Sequence, residues 1–174
     1  MKYFAGLFSA MLFFSCAKEK KDYKPQFTTV TTTTLHEQQD IGVRAITIDG
    51  DKVWYAGSMG NFGALPLNGG KALTGVISKD TLYPEFRSIA QTKDAVFLLN
   101  AGTPALLYKV TKDTKHNKLV YTETGEKVFY DSMKFRNDDE GIAIGDPVNE
   151  CLSVIFTRDG GNTWKKCHAL NSLW

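Results

Sequence analysis

The sequence predicts an all-β fold, a β-propeller of four-stranded antiparallel blades with about three blades present. Two observations carry this. A strand-turn-strand unit returns after 43 and then 44 residues, marked by Arg44, Arg87 and Asp131, and each unit has room for four short strands separated by turn residues. No amphipathic stretch with helical spacing interrupts the series.

The N-terminus reads as an address. Met1-Lys2 is a short positive start, and the apolar run from Leu7 to Phe14 is too short to cross a bilayer as a helix, so residues 1–15 are expected to be an export signal. The run ends in Leu12-Phe13-Phe14-Ser15-Cys16 and turns abruptly polar at Ala17-Lys18-Glu19-Lys20-Lys21-Asp22. This resembles a bacterial lipobox, although Phe13 stands where Leu is more usual. The resemblance implies that Cys16 is lipidated and that the protein is held on a membrane of the bacterial cell envelope, at its periplasmic or surface face, since buried acyl methylenes give stable anchoring. An ordinary secretory signal with a chance cysteine is the alternative. Residues 16–26 then form the lipidated Cys and a charged tether.

In the stretch 27–41, Phe27, Thr29, Thr31, Thr33 and Leu35 alternate onto one face, which predicts an edge or closing strand. The blades follow at 42–84, 85–128 and 129–174. Val43-Arg44-Ala45-Ile46, Phe86-Arg87-Ser88-Ile89 and Tyr130-Asp131-Ser132-Met133 open them. Turns at Asp49-Gly50-Asp51, Thr92-Lys93-Asp94 and Asn137-Asp138-Asp139 lead into second strands at Val53–Ala56, Val96–Leu99 and Ile142–Ile144. Gly57, Gly102 and Gly145 mark the bend into a third strand.

The strongest local motif is Thr157-Arg158-Asp159-Gly160-Gly161-Asn162-Thr163-Trp164. Val154, Ile155 and Phe156 run into it as a strand, the glycines tolerate positive φ, Asp159 can accept turn N–H groups, and Trp164 offers a large apolar face. It reads as a hairpin tip in which Thr157 pairs near Trp164. The pattern is similar to the Asp-box, or bacterial neuraminidase repeat, of several propeller families, which implies a structural role for Thr157, Asp159, Gly161, Thr163 and Trp164. Asn68–Leu73 is a decayed copy in the first unit, and Thr111-Lys112-Asp113 is what remains in the second.

From about residue 42 to 166 the chain resembles the photosystem II stability/assembly factor-like propellers, which are exported bacterial proteins. The echoes are Val43–Ile46 with Trp54–Ser58, Phe86–Ile89, and Asp138–Pro147. The resemblance implies a non-catalytic binding or assembly scaffold, since no catalytic set is shared across that family; the residues themselves call for no cofactor and no metal. Three units fall short of the four to eight blades that close a ring. The expectation is therefore a truncated propeller, with a longer protein or several copies as alternatives. An exposed apolar blade edge recruits partners or drives self-association.

Function classes are narrowed by what the residues offer. Twenty-one basic against nineteen acidic residues, net +2, leave no electrostatic footprint for nucleic acid, so an unknown protein or glycan is the expected partner. A sialidase-like glycoside hydrolase is the enzyme alternative; its arginine cluster would draw on Arg44, Arg87, Arg136 and Arg158. Arg44 and Arg87 are the candidate ligand-facing residues, with structural hydrogen bonding at equivalent blade positions as the bland reading. Gly57–Gly63 lacks the spacing and the helix of a dinucleotide fingerprint, so an oxidoreductase label has no residue support. His36, His116 and His168 lack ligand-spaced partners, and Asp138-Asp139-Glu140 reads as a solvated turn rather than a Ca²⁺ site. Cys151 and Cys167 stand about three residues out of register across the hairpin, so either a disulfide or two thiols fits.

Overall fold

The computed structural model describes residues 27–167, so the expected export signal, Cys16 and the expected tether lie outside the described residues, as does His168. The chain divides into two units, residues 1–33 and 34–174. Of the first, residues 27–33 are exposed and hold no strand.

The second unit is all-β among its described residues. Blade 1 comprises β1 (Val43–Asp49), β2 (Lys52–Gly57), β3 (Asn61–Pro66) and β4 (Leu73–Val76). Blade 2 comprises β5 (Phe86–Gln91), β6 (Ala95–Asn100), β7 (Ala105–Thr111) and β8 (Asn117–Glu123). Blade 3 comprises β9 (Tyr130–Phe135), β10 (Gly141–Val148), β11 (Cys151–Thr157) and β12 (Lys165–Lys166). Each is an antiparallel sheet in chain order, and the first strands lie side by side, with β5 between β1 and β9. The 43-residue period thus resolves into three stacked four-stranded sheets, an incomplete propeller of about three blades.

Burial follows from this stacking. Blade 2 is covered on both faces, so β6 is buried at every position and β7 at five of seven, and both read as near-continuous apolar runs. Trp54, Ala56, Phe62 and Ile77 of blade 1 pack on Phe86, Val96, Leu98 and Leu106 of blade 2. The other face of blade 2, with Phe97, Leu99 and Leu107, packs on Tyr130, Met133, Phe135, Ile155 and Trp164 of blade 3.

Two expectations are corrected, and one open alternative is decided. The edge or closing strand expected within 27–41 does not form; the first strand starts at Val43, because threonines alternating with threonines give a strand face with almost no apolar area to bury. Gly145 does not mark the bend in blade 3: β10 continues to Val148, and the turn is Asn149-Glu150, both with positive φ (52° and 65°), the geometry of a two-residue hairpin. Of the two readings open for Cys151 and Cys167, the structure has the two thiols, not bonded to each other; the Cys167 N–H donates to the Val154 carbonyl (2.8 Å), which leaves Cys151 about three residues out of register, as the sequence spacing indicated.

Candidate functional site

One device recurs at the start of all three blades. Pairing between the first and second strands skips a residue between Val43 and Ala45, between Phe86 and Ser88, and between Tyr130 and Ser132. The extra residues are Arg44, Arg87 and Asp131. A bulge leaves its extra residue out of the ladder and re-aims the side chain. Just before each bulge, a carbonyl accepts an N–H of the second strand or of the residue that follows it: Gly42 from Ser58 (2.9 Å), Glu85 from Ala101 (2.9 Å) and Phe129 from Asp146 within β10 (2.8 Å). Close approach is the condition for this bond, and a Cβ at Gly57 or Gly145 would run into the Gly42 or Phe129 carbonyl.

The bulges bring Arg44 and Arg87 to the same end of the molecule, each facing a carboxylate one blade on. Arg44 Nη2 lies 3.5 Å from Glu85 Oε2, and Arg87 Nε donates to Asp131 Oδ1 at 2.9 Å. Arg87 also sits over the Phe129 ring, 5.2 Å from its centroid. The two arginine side chains remain 48% and 45% exposed, so these pairs add little stability while several guanidinium donors still face solvent. The exposed Met59 adjoins them, its N–H donating to Glu85 Oε1 at 3.1 Å. This rim can recognise carboxylates and carbonyls with an aromatic face beside them. It does not gather the four arginines: Arg136 lies beyond the opposite end of β9, 3.4 Å from Glu140, and Arg158 stacks on Phe156 in an outer turn.

The Thr157–Trp164 turn connects β11 to β12 in the expected register, with Phe156 opposite Lys165. Asp159 Oδ1 accepts from the Thr157 hydroxyl (2.8 Å), Asn162 N–H (3.0 Å) and Thr163 N–H (2.9 Å), and its Oδ2 from the Thr163 hydroxyl (2.6 Å). The Thr163 hydroxyl and N–H do most to hold the Asp159 carboxyl down at about 2. Gly161 has φ +71° and lies flat on the Phe97 ring of blade 2, where no Cβ fits. Trp164 edges against both Phe97 and Phe135 (centroids 6.4 and 5.8 Å). From blade 2, Lys109 Nζ donates to the Gly160 carbonyl (2.8 Å) and to Asn162 Oδ1 (2.9 Å). The turn is therefore a clasp between blades 2 and 3.

Its reduced copies keep the parts that their residues allow. In blade 2 the Thr111 hydroxyl donates to Asp113 Oδ1 (2.5 Å), and this bond leads the causes that lower the Asp113 pKa. In blade 1, Gly69 and Gly70 turn with positive φ, but Leu73 does not take the place of Trp164: it pairs with Ala64 as Lys165 pairs with Phe156, and it packs on the core between blades 1 and 2.

One cluster was missed in the sequence. Glu123 at the end of β8 accepts from Tyr121 (2.6 Å) and Tyr130 (2.8 Å) through Oε2 and pairs with Lys166 through Oε1. Burial pushes its carboxyl up, but the bonds from Lys166, Tyr121 and Tyr130 outweigh that and leave it below its ordinary value. Burial first, then the Glu123 carboxylate, raises Tyr121, and burial, then the contacts with Tyr121 and Glu123, raises Tyr130. Tyr130 is fully buried, so the cluster joins blades 2 and 3 rather than serving a ligand. Tyr121 and Glu123 are two apart on one strand, but Lys166 lies 43 residues further on, a separation that no local pattern marks. The Asp138 and Asp139 turn is likewise committed: Asp138 Oδ1 accepts from Lys93 N–H (2.7 Å), and Asn137 Oδ1 accepts from the N–H groups of Asp139 and Glu140. Among the described residues, no three His, Cys, Asp or Glu side chains gather as a metal set.

Three repeated sheets around adjacent first strands are matched by solved structures. The structure of YCF48 bound to D1 peptide superposes with TM-score 0.56 at 13% identity, covering 72% of this chain and 40% of that one. YCF48 from Cyanidioschyzon merolae gives 0.51 at 16% identity, covering 72% and 40%, and the structure of U3-55K gives 0.54 at 14%, covering 78% and 41%. The fold is that of a β-propeller. The chain spans about two-fifths of the length of these propeller structures. No protein-family model matches the sequence, and no curated protein matches it.

Proposed function

We propose that this chain is a non-catalytic binding or assembly scaffold whose bulged rim, with Arg44, Arg87 and Phe129, receives a carboxylate-bearing peptide segment of a protein partner. The observation that carries the reading is the recurrence of one bulge in three blades, which brings two half-exposed guanidiniums to one end of the sheets, that of Arg87 over the Phe129 ring. A propeller of the same fold, YCF48, has been seen bound to D1 peptide, which supports a peptide as the class of ligand. In this reading Thr157–Trp164 is an Asp-box with a folding role, and lipidation of Cys16 holds the scaffold in the bacterial cell envelope.

The test is a binding screen of the purified protein against peptides that carry internal or terminal carboxylates. Arg44→Ala and Arg87→Ala are expected to weaken the best binder about tenfold or more each, since a hydrogen bond to a charged group contributes about 1.5–3 kcal/mol. Unchanged affinity in both variants removes the rim from the proposal. Turnover of fluorogenic sialosides or other aryl glycosides would replace the scaffold reading with the glycoside hydrolase one. For the anchor, palmitate labelling of the producing cells should vanish in Cys16→Ala; persisting label refutes lipidation at that residue.

A further inference from the structure

Asparagine precedes glycine once in this chain, at Asn68-Gly69, in the turn that joins β3 to the edge strand β4 of blade 1. Residues 67–71 are all exposed. Among the described residues, no hydrogen bond holds the Asn68 side chain. Gly69 has φ +81° and open space where a Cβ would stand, and Gly70 has φ +126°, so the peptides that follow Asn68 can turn without meeting a side chain. The bond that opposes such turning, from Gly69 N–H to the Pro66 carbonyl, is long at 3.2 Å. Four other asparagines are held through their amides. Asn61 Nδ2 donates to the Ser58 carbonyl (3.0 Å), Asn100 Nδ2 to that of Pro104 (3.1 Å), Asn137 Nδ2 to Glu140 (3.0 Å) and Asn162 Nδ2 to the Asp159 carbonyl (2.6 Å). Each of them also precedes a residue that carries a Cβ.

We propose that Asn68 is a site of spontaneous covalent modification, at which the folded protein loses the side-chain amide as ammonia and gains an acid. The Gly69 main-chain nitrogen, on giving up its proton, attacks Asn68 Cγ. A bond from this nitrogen to Cγ forms as the bond from Cγ to Nδ2 breaks, and ammonia leaves with the proton restored to it. Water then opens the cyclic imide at either carbonyl. Opening at Cγ gives aspartate on the original main chain; opening at the main-chain carbonyl gives isoaspartate, whose main chain runs through the former side chain and is longer by a methylene. Water is the one co-reactant, and nothing is oxidised or reduced. Asp49-Gly50 and Asp159-Gly160 offer the same nitrogen, but a carboxylate is a poor acceptor for a nucleophile. Lys112 pairs with the first (2.5 Å), and four hydrogen bonds hold the second. The new carboxylate takes the formal net charge from +2 to +1. In the isoaspartate form the added methylene enters the turn that sets Ala64 opposite Leu73, at the outer edge of the sheet and away from both core clusters.

The purified chain is aged at mildly alkaline pH, folded and in urea side by side, and sampled by peptide mass mapping. The peptide that holds Asn68 is expected to gain the mass of an acid over an amide before any other asparagine peptide does, at a similar rate in both samples, with aspartate and isoaspartate resolved by fragmentation. Isoelectric focusing should show a matching acidic band. Asn68→Gln lengthens the side chain past easy ring closure and should abolish that band, and Gly69→Ala, which shields the nitrogen, should slow the loss about tenfold. Circular dichroism verifies that both variants are folded. Retention of the Asn68 amide in the folded chain overturns the proposal, whatever the urea sample does, because the turn then protects it. Earlier loss at another asparagine, or an acidic band that persists in Asn68→Gln, overturns the site. Aspartate with no isoaspartate overturns the cyclic route.

Discussion

Asp159 is a case in which one side chain substitutes for a turn's missing backbone partners. Its carboxylate takes four hydrogen bonds within a seven-residue hairpin tip, so the ionised form is what the fold selects. Its folded value of about 2 lies below the ordinary 3.8, so the stabilisation is present above 3.8 and is lost as pH falls from there toward 2. Thermal unfolding followed across that window should show the native protein losing stability and converging on Asp159→Asn, which starts lower at neutral pH and lacks the acid step. Gly161 is bound by two constraints at once, positive φ and the Phe97 ring beneath it. Gly50 has only the first, with open space where a Cβ would go. Urea unfolding should therefore cost Gly50→Ala about 1–2 kcal/mol and Gly161→Ala about 3 kcal/mol or more, since overpacking adds to strain.

At the scale of the element, blades are joined less by loops than by side chains that reach one sheet over. Ser88 Oγ accepts the Met133 N–H (2.9 Å), Gln91 Nε2 donates to the Ile48 carbonyl (2.7 Å), and Lys112 pairs with Asp49 (2.5 Å). The Glu123 cluster is the charged joint of this kind that lies deepest among the described ion pairs, with 14% of the Glu123 side chain exposed. Glu123→Gln keeps the shape but removes the charge that Lys166 and two tyrosines address, and chemical denaturation should register a loss of about 2 kcal/mol. Tyr130→Phe leaves the Glu123 carboxylate one donor short and should cost about 1 kcal/mol in the same assay.

The whole molecule is a stack in which the middle sheet carries both interfaces. Phe97 touches Phe135, Trp164 and Gly161 of blade 3 while its strand neighbours Val96 and Leu98 face blade 1. Phe97→Ala should cost about 3–5 kcal/mol, the range for a buried aromatic lost from a packed core. Hydrogen exchange should rank the strands by this geometry, with β6 and β7 slowest and the end strands β1 and β12 fastest, because opening is cheapest where one face is bare. Uniform protection across all twelve strands would contradict the stack as the unit of stability.

Much of this was legible in one sequence because a repeat prints its period wherever the same job recurs. The spacing of Arg44, Arg87 and Asp131, the Asp-Gly-Gly turn and the Trp164 that follows it determined the blade count, the hairpin register and the residues of the turn. Pattern failed where alternation had no apolar content, as in the threonines of 27–35, and where a glycine sat inside a strand rather than at its end, as Gly145 does. Only the tertiary structure decided that Arg44 and Arg87 stand on bulges, that Gly161 answers to Phe97 of another blade, and that Glu123 ties Tyr121, Tyr130 and Lys166 together. The reason is physical. Periodicity reports the interactions that a residue makes with its own sheet, whereas these contacts join sheets, and they depend on stacking that no local pattern encodes.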